Sequence, residues 1–241
     1  MLSIDGLSVR RGAMEVLRGV DLALEAGRVH GLVGRNGAGK TTLLETIYGF
    51  VAPNAGRVSL EGRPALPTDI GYLPTENFFY PRITGREYLG LFAARREFDV
   101  AGWGALFELP LDRFVDTYST GMRKKVALLG VLSLGRPVLA LDEPFNGLDL
   151  ETNRLLYGII RAVADEGRTV LLTSHVLEAL TATCHRIHLL DAGSIAGSYS
   201  AAGFAALEAE LARGDSARMG RLRELMGSHR DTEARREPPD K

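Results

Sequence analysis

The stretch Gly34-Arg35-Asn36-Gly37-Ala38-Gly39-Lys40-Thr41-Thr42 fits the pattern G-x-x-x-x-G-K-[ST] at Gly34, Gly39, Lys40 and Thr41. Val29 to Val33 reads as a short buried strand before it, and Thr41 to Phe50 as a helix after it. That strand–loop–helix order is the setting in which such a loop cradles phosphate. Glycines let the backbone curl so that several N–H groups point at one anion. The positive end of the following helix adds to the attraction. In this pattern the Lys40 ammonium reaches the β- and γ-phosphates of a nucleotide, and the Thr41 hydroxyl reaches a Mg²⁺ ion.

A phosphate loop alone does not name a function, so its companions decide. Val138 to Leu141 is an apolar strand that ends in Asp142, followed at once by Glu143. In a parallel sheet that strand end lies beside the phosphate loop. There Asp142 would hold Mg²⁺, and Glu143 would polarise the attacking water as general base. Asn146-Gly147-Leu148-Asp149 forms a turn just beyond. His175 follows the β-branched strand Thr169 to Thr173, which is expected to neighbour the Asp142 strand and bring the imidazole to the same edge.

Around these motifs, Leu2 to Arg10 and Leu17 to Leu24 alternate as antiparallel strands. Arg57 to Leu60, Ile70 to Leu73, Ile187 to Leu190 and Ser194 to Ala196 read as further strands. From Thr84 to about Leu134 the texture is helical, with helices expected over Glu87 to Arg96 and Trp103 to Leu109, in a segment that runs from residue 76 to 134. This is an inserted α-helical lobe. Leu150 to Asp165 and Val176 to Cys184 read as helices. The expected fold is α/β: a P-loop NTPase with a mainly parallel sheet flanked by helices, an N-terminal antiparallel β-subdomain and the inserted lobe. It would occupy residues 1–200, with a C-terminal helix over 201–226 and a charged, disordered tail over 227–241.

The 241 residues suffice for a buried core, and no internal repeat points to a tandem pair. A net charge of −1 gives no electrostatic case for nucleic acid. The single cysteine, Cys184, excludes an internal disulfide framework and suits a reducing compartment. Val126 to Leu141 is the most apolar run. Arg136-Pro137 divides it into a buried helix end, a turn and a buried strand, each too short to span a bilayer. Work at a membrane would therefore need a span supplied by another subunit.

Taken together, these motifs resemble the ATP-binding subunit of an ABC transporter. GRNGAGKTT is similar to the Walker A motif, VLALDEP to Walker B, and NGLD at Asn146 to Asp149 to the D-loop. His175 matches the switch histidine, and YSTGM at Tyr118 to Met122 stands where the signature LSGGQ belongs. The motifs keep family order over about Leu2 to Ala196. The resemblance implies ATP and Mg²⁺ as cofactors, with ATP bound by residues 34 to 42. It implies Lys40, Glu143 and His175 as catalytic residues, and Thr41 and Asp142 as metal ligands. It also implies a head-to-tail dimer with a second or paralogous copy, whose Ser119, Gly121 and Asp149 complete the site. A transmembrane permease subunit would hold the dimer peripherally on the inner face of the cell membrane. The short cassette and its YLPTENFFYP and YSTGMRKK segments look most like exporter-type subunits. A soluble ABC ATPase acting on ribosomes or DNA is the alternative, but such relatives carry tandem cassettes or a long coiled-coil insertion.

Four positions, in three motifs, depart from the family pattern. Thr120 and Met122 replace a glycine and the glutamine of the signature. Thr75 stands where the Q-loop glutamine belongs and is too short to span from Mg²⁺ to a membrane subunit in the same way; Glu76 is its neighbour. Arg11 aligns with the aromatic that stacks on adenine; its guanidinium would either stack on the base or lie solvated in a loop. Phe78-Phe79-Tyr80-Pro81 would face the permease or pack within the lobe.

Overall fold

A computed structural model of the chain describes residues 1–93 and 98–212. In chain order the elements are β1 (Leu2–Arg11), β2 (Met14–Leu24), β3 (Val29–Val33), α1 (Lys40–Tyr48), β4 (Ala55–Leu60), β5 (Arg63–Pro64), β6 (Ile70–Leu73) and α2 (Gly85–Ala93). Then come α3 (Val100–Leu106), α4 (Thr120–Ser133), β7 (Val138–Leu141), α5 (Leu150–Asp165), β8 (Thr169–Thr173), α6 (Leu177–Thr183), β9 (Arg186–Asp191) and β10 (Ser194–Ser200).

The strands form two sheets. An antiparallel sheet has the order β2-β1-β4-β5, as the alternation in the first strands predicts. The second sheet has the order β10-β9-β3-β8-β7-β6, parallel from β9 to β6, with β10 turned back as a hairpin. Every residue of β3, β7 and β8 is buried, so helices or a second sheet must cover both faces. One face packs into a core with Leu43, Leu44 and Ile47 of α1 and with Leu2, Ile4, Leu17 and Leu24 of the antiparallel sheet. Val138, Ala140 and Leu171 supply that face, while α5 and α6 lie against β3, and α5 also against β8. Truncating a leucine as buried as Leu43 or Leu44 costs about 2–5 kcal/mol in such cores.

As the sequence reading expects, the end of the Asp142 strand lies beside the phosphate loop, with the Thr41 hydroxyl 2.8 Å from the Asp142 carboxylate. β8 lies between β3 and β7, so the two motif strands are not neighbours. The Thr169–Thr173 strand does neighbour β7, as expected. β5 was not expected; two residues carry no alternation to read. The helix expected over Trp103 to Leu109 instead runs from Val100, because the Asp99 side chain accepts a hydrogen bond from the Gly102 N–H and starts it early. Of the expected lobe, α4 packs against both α2 and β6, which seats the end of the lobe on the sheet. Of the helix read over Glu87 to Arg96, residues 94–96 lie outside the described residues.

The chain divides after Ala201. Of the expected C-terminal helix, residues 204–212 are helical. Residues 213–226 and the tail over 227–241 lie outside the described residues. No helix among the described residues is long and apolar enough to cross a membrane.

β3 and β9 bury a pair of histidines. His30 Nδ1 lies 3.3 Å from His188 Nε2, and His188 Nδ1 lies 2.7 Å from the Ser198 hydroxyl. His30 Nε2 lies 3.3 Å from the Glu25 carbonyl. Burial pushes His30 down to about 4 and His188 down to about 3, from an ordinary 6.5. Both rings are therefore neutral in the fold, whereas the unfolded chain takes up protons below 6.5. Their stabilisation is complete above that value and is lost as pH falls toward the folded values. We expect the thermal unfolding midpoint to drop by roughly 5–15 °C between pH 7 and pH 5, while most carboxylates stay ionised. A midpoint that stays flat across that interval would contradict this account.

Candidate functional site

β3 delivers the chain to the loop at Gly34, and two glycines there have no substitute. A Cβ on Gly34 would sit 2.3 Å from the Leu190 carbonyl oxygen of β9. Gly39 has φ +108°, and its Cβ would lie 2.8 Å from Leu17 Cδ2 and 3.1 Å from the Val16 carbonyl. The loop is thus pressed between β9 and β2, and α1 begins directly at Lys40. Its first-turn N–H groups open into a cleft of about 380 Å³. Asn36, Gly37, Gly39, Lys40, Thr41 and Thr42 line this cleft on the loop side, with Thr75, Asp142 and Glu143 opposite and Val16 of β2 at its wall.

Gly34, Arg35 and Ala38 shape the loop without lining the cleft. The Lys40 Nζ donates to the carbonyls of Gly34 at 2.7 Å and Arg35 at 3.3 Å. Partial burial pushes its ammonium down, and the Asp142 and Glu143 carboxylates push it back up. Such a cation, hydrogen-bonded within its own loop, suits the charge of a triphosphate.

The parallel sheet brings the ends of β6, β7 and β8 to the same edge. Asp142 is buried at that edge, gripped by three hydroxyls. Thr41 and Thr75 each donate to its Oδ2 at 2.8 Å, and Thr173 donates to its Oδ1 at 2.6 Å. Hydroxyls and a carboxylate are hard oxygen donors, the set that Mg²⁺ takes alongside phosphate oxygens. Glu143 follows with φ +49°, a left-handed conformation rare outside glycine. Its backbone N–H donates to Thr173 Oγ1 at 2.9 Å. Its Oε2 lies 2.9 Å from His175 Nδ1, so the expected base and histidine do meet.

Other expected site residues are not brought to this cleft within one chain. Ser119, Gly121 and Asp149 do not line it. The Ser119 hydroxyl accepts from the Met122 N–H and caps α4. The Asp149 carboxylate accepts from the Thr152 N–H and hydroxyl and caps α5. Arg11 forms an ion pair with Glu45 of α1 and is not a free loop cation. Phe79 packs on Tyr88 inside the lobe, whereas Phe78 and Tyr80 stack edge to face on the exterior. They are 76% and 60% exposed, so Phe79 packs within the lobe while Phe78 and Tyr80 face solvent.

Sequence reading missed Thr173 and Val16, and it credited Thr75 with no contact to the Asp142 carboxylate. A threonine that ends a β-branched strand carries no distinguishing signal; only the β7–β8 register turns its hydroxyl to Asp142.

The fold and this cleft define a P-loop nucleoside triphosphatase. The ABC transporter family profile matches residues 17–146. The chain is 34% identical over 209 residues to a daunorubicin resistance ATP-binding protein of Streptomyces coeruleorubidus, covering 80% of this chain and 66% of that protein. It is 31% identical over 207 residues to the ABC transporter ATP-binding protein YtrB of Bacillus subtilis (strain 168), covering 81% of this chain and 70% of that one. The solved structure of an ATP-binding subunit of an ABC transporter superposes with a TM-score of 0.77 at 26% identity, over 83% of this chain and 90% of that chain. The chain belongs to the ABC transporter family, as an ATP-binding ATPase cassette. It spans about two thirds of the length of the Streptomyces relative.

Proposed function

We propose that the chain binds ATP with Mg²⁺ in this cleft, hydrolyses it within a head-to-tail dimer, and drives a separate membrane-embedded exporter. The observation that carries the reading is the Asp142–Glu143–His175 constellation at one sheet edge, met across the cleft by Lys40 and Thr41 of the loop side. Residues 34 to 42 would wrap the phosphates, with Lys40 on the β- and γ-oxygens. Thr41 and Asp142 would hold Mg²⁺, which neutralises phosphate charge when bound. Glu143 would take the proton of the attacking water, and His175 would orient that carboxylate.

Ser119, Gly121 and Asp149 lie away from the cleft of their own chain, which supports a site finished by a second copy or a paralogue. The N-terminus of α4 would then face the γ-phosphate of the partner site. ATP favours such a closed dimer because it contacts both protomers, and its hydrolysis releases them. The exposed Phe78 and Tyr80 support a lobe that docks on a membrane subunit. That arrangement would place the cassette on the inner face of the membrane. Kinship to a drug-resistance protein supports outward transport.

Tagged chain expressed with its neighbouring genes and purified from detergent-solubilised membranes is expected to bring down a polytopic membrane protein. ATPase activity is expected to rise more than linearly with cassette concentration, as a dimeric site requires. Recovery with ribosomes or DNA, and without any polytopic partner, would overturn the transporter reading.

A further inference from the structure

α4 carries a buried lysine that the proposed chemistry leaves unused. Lys124 is only 5% exposed. A buried ammonium must find acceptors, and this one finds three backbone carbonyls. Its Nζ donates to Thr75 O at 3.3 Å, Pro74 O at 3.4 Å and Asp142 O at 3.4 Å. The first two lie just past the end of β6 and the third at the end of β7. One side chain thus joins α4 to both strand ends beside the cleft.

The third contact bears on catalysis. The Asp142 carbonyl belongs to the peptide that leads into Glu143. The N–H of that same peptide donates to Thr173 Oγ1 at 2.9 Å. The peptide plane is therefore gripped at both ends, by an ammonium on its oxygen and a hydroxyl on its nitrogen. Glu143 needs such a grip because its φ of +49° is disfavoured for a residue with a Cβ. With the plane free to rotate, the residue could relax toward ordinary backbone and its carboxylate would swing from the cleft.

We propose that Lys124 is a positioning residue for Glu143: by holding the 142–143 peptide it aims the carboxylate at the attacking water, and it ties that aim to α4. Lys124 lies one helical turn after Thr120, at the end of α4 that Ser119 caps. A shift of that end moves the ammonium and, through it, the peptide. The proposal rests on the hydrolytic reading above.

The test compares ATP hydrolysis and ATP affinity in the full chain. Lys124→Met keeps the length and apolar stem and removes the donor. Its kcat is expected to fall roughly 10- to 100-fold, the scale of a small misplacement of a catalytic group. The Kd for ATP with Mg²⁺, read by fluorescent-nucleotide displacement, is expected to stay within about twofold, because no phosphate contact is lost. A wild-type kcat overturns the proposal, and so does a Kd that rises in step with the fall in kcat. Should circular dichroism show Lys124→Met unfolded, Lys124→Gln is measured by the same split with the same two readings. Absence of hydrolysis in the wild-type chain marks failure of the hydrolytic reading. An active wild type with an equally active Lys124→Met marks failure of this inference alone.

Discussion

Glu143→Gln is expected to bind ATP at near wild-type affinity while hydrolysing it roughly 10²- to 10⁴-fold more slowly, the span general base catalysis supplies. The amide has the size of the carboxylate and can still meet His175 Nδ1, 2.9 Å away in the native chain. It cannot accept the proton of the attacking water. Nothing in the phosphate cradle changes, because the loop N–H groups, Lys40 and Thr41 are untouched. The fold is also expected to hold. The Glu143 backbone N–H still reaches Thr173 Oγ1, and the amide oxygen can still accept from the His175 N–H. The variant should therefore accumulate as a closed, ATP-bound dimer. Phosphate release checks the rate, and size-exclusion chromatography with and without ATP checks the assembly. Wild-type turnover would remove Glu143 as the base.

Lys40→Ala is expected to weaken ATP binding about 10- to 100-fold, the range for losing a charge-assisted hydrogen bond to an anion. Among the described residues the ammonium hydrogen-bonds only to Gly34 O and Arg35 O of its own loop, so its removal breaks no hydrogen bond between elements. Alanine also favours the first position of α1, so the helix should persist. The thermal midpoint of the free chain is accordingly expected to stay near wild type, while stabilisation by added MgATP is lost. A nucleotide titration reads the first effect and a melting curve with and without MgATP the second. An unchanged Kd would show that the ammonium does not touch the phosphates.

Comparing the two substitutions separates the residues that were legible in the chain from those that were not. Lys40 could be read because the glycine spacing of a phosphate loop is local, carried by one short stretch of sequence. Glu143 could be read because an apolar strand ending in two carboxylates is also local. The grip on Asp142 was not legible. Thr75 and Thr173 lie 67 and 31 residues away, and the register of β6, β7 and β8 sets their aim. Lys124 looked like one cation among Arg123, Lys124 and Lys125; its neighbours carry no sign that it is buried.

By itself, the chain's local chemistry determined the loop, the helix it launches, the acidic strand end and the α/β alternation. Each depends on residues within a few positions of one another, where backbone preference and hydrophobic period act directly. Tertiary structure decided three things: that β8 separates the loop strand from the Asp142 strand, that three threonine hydroxyls converge on one carboxylate, and that Ser119 and Asp149 cap helices away from their own chain's cleft. These depend on strand order and on contacts between distant segments, which the burial of both faces of one sheet selects and which no short window of sequence contains.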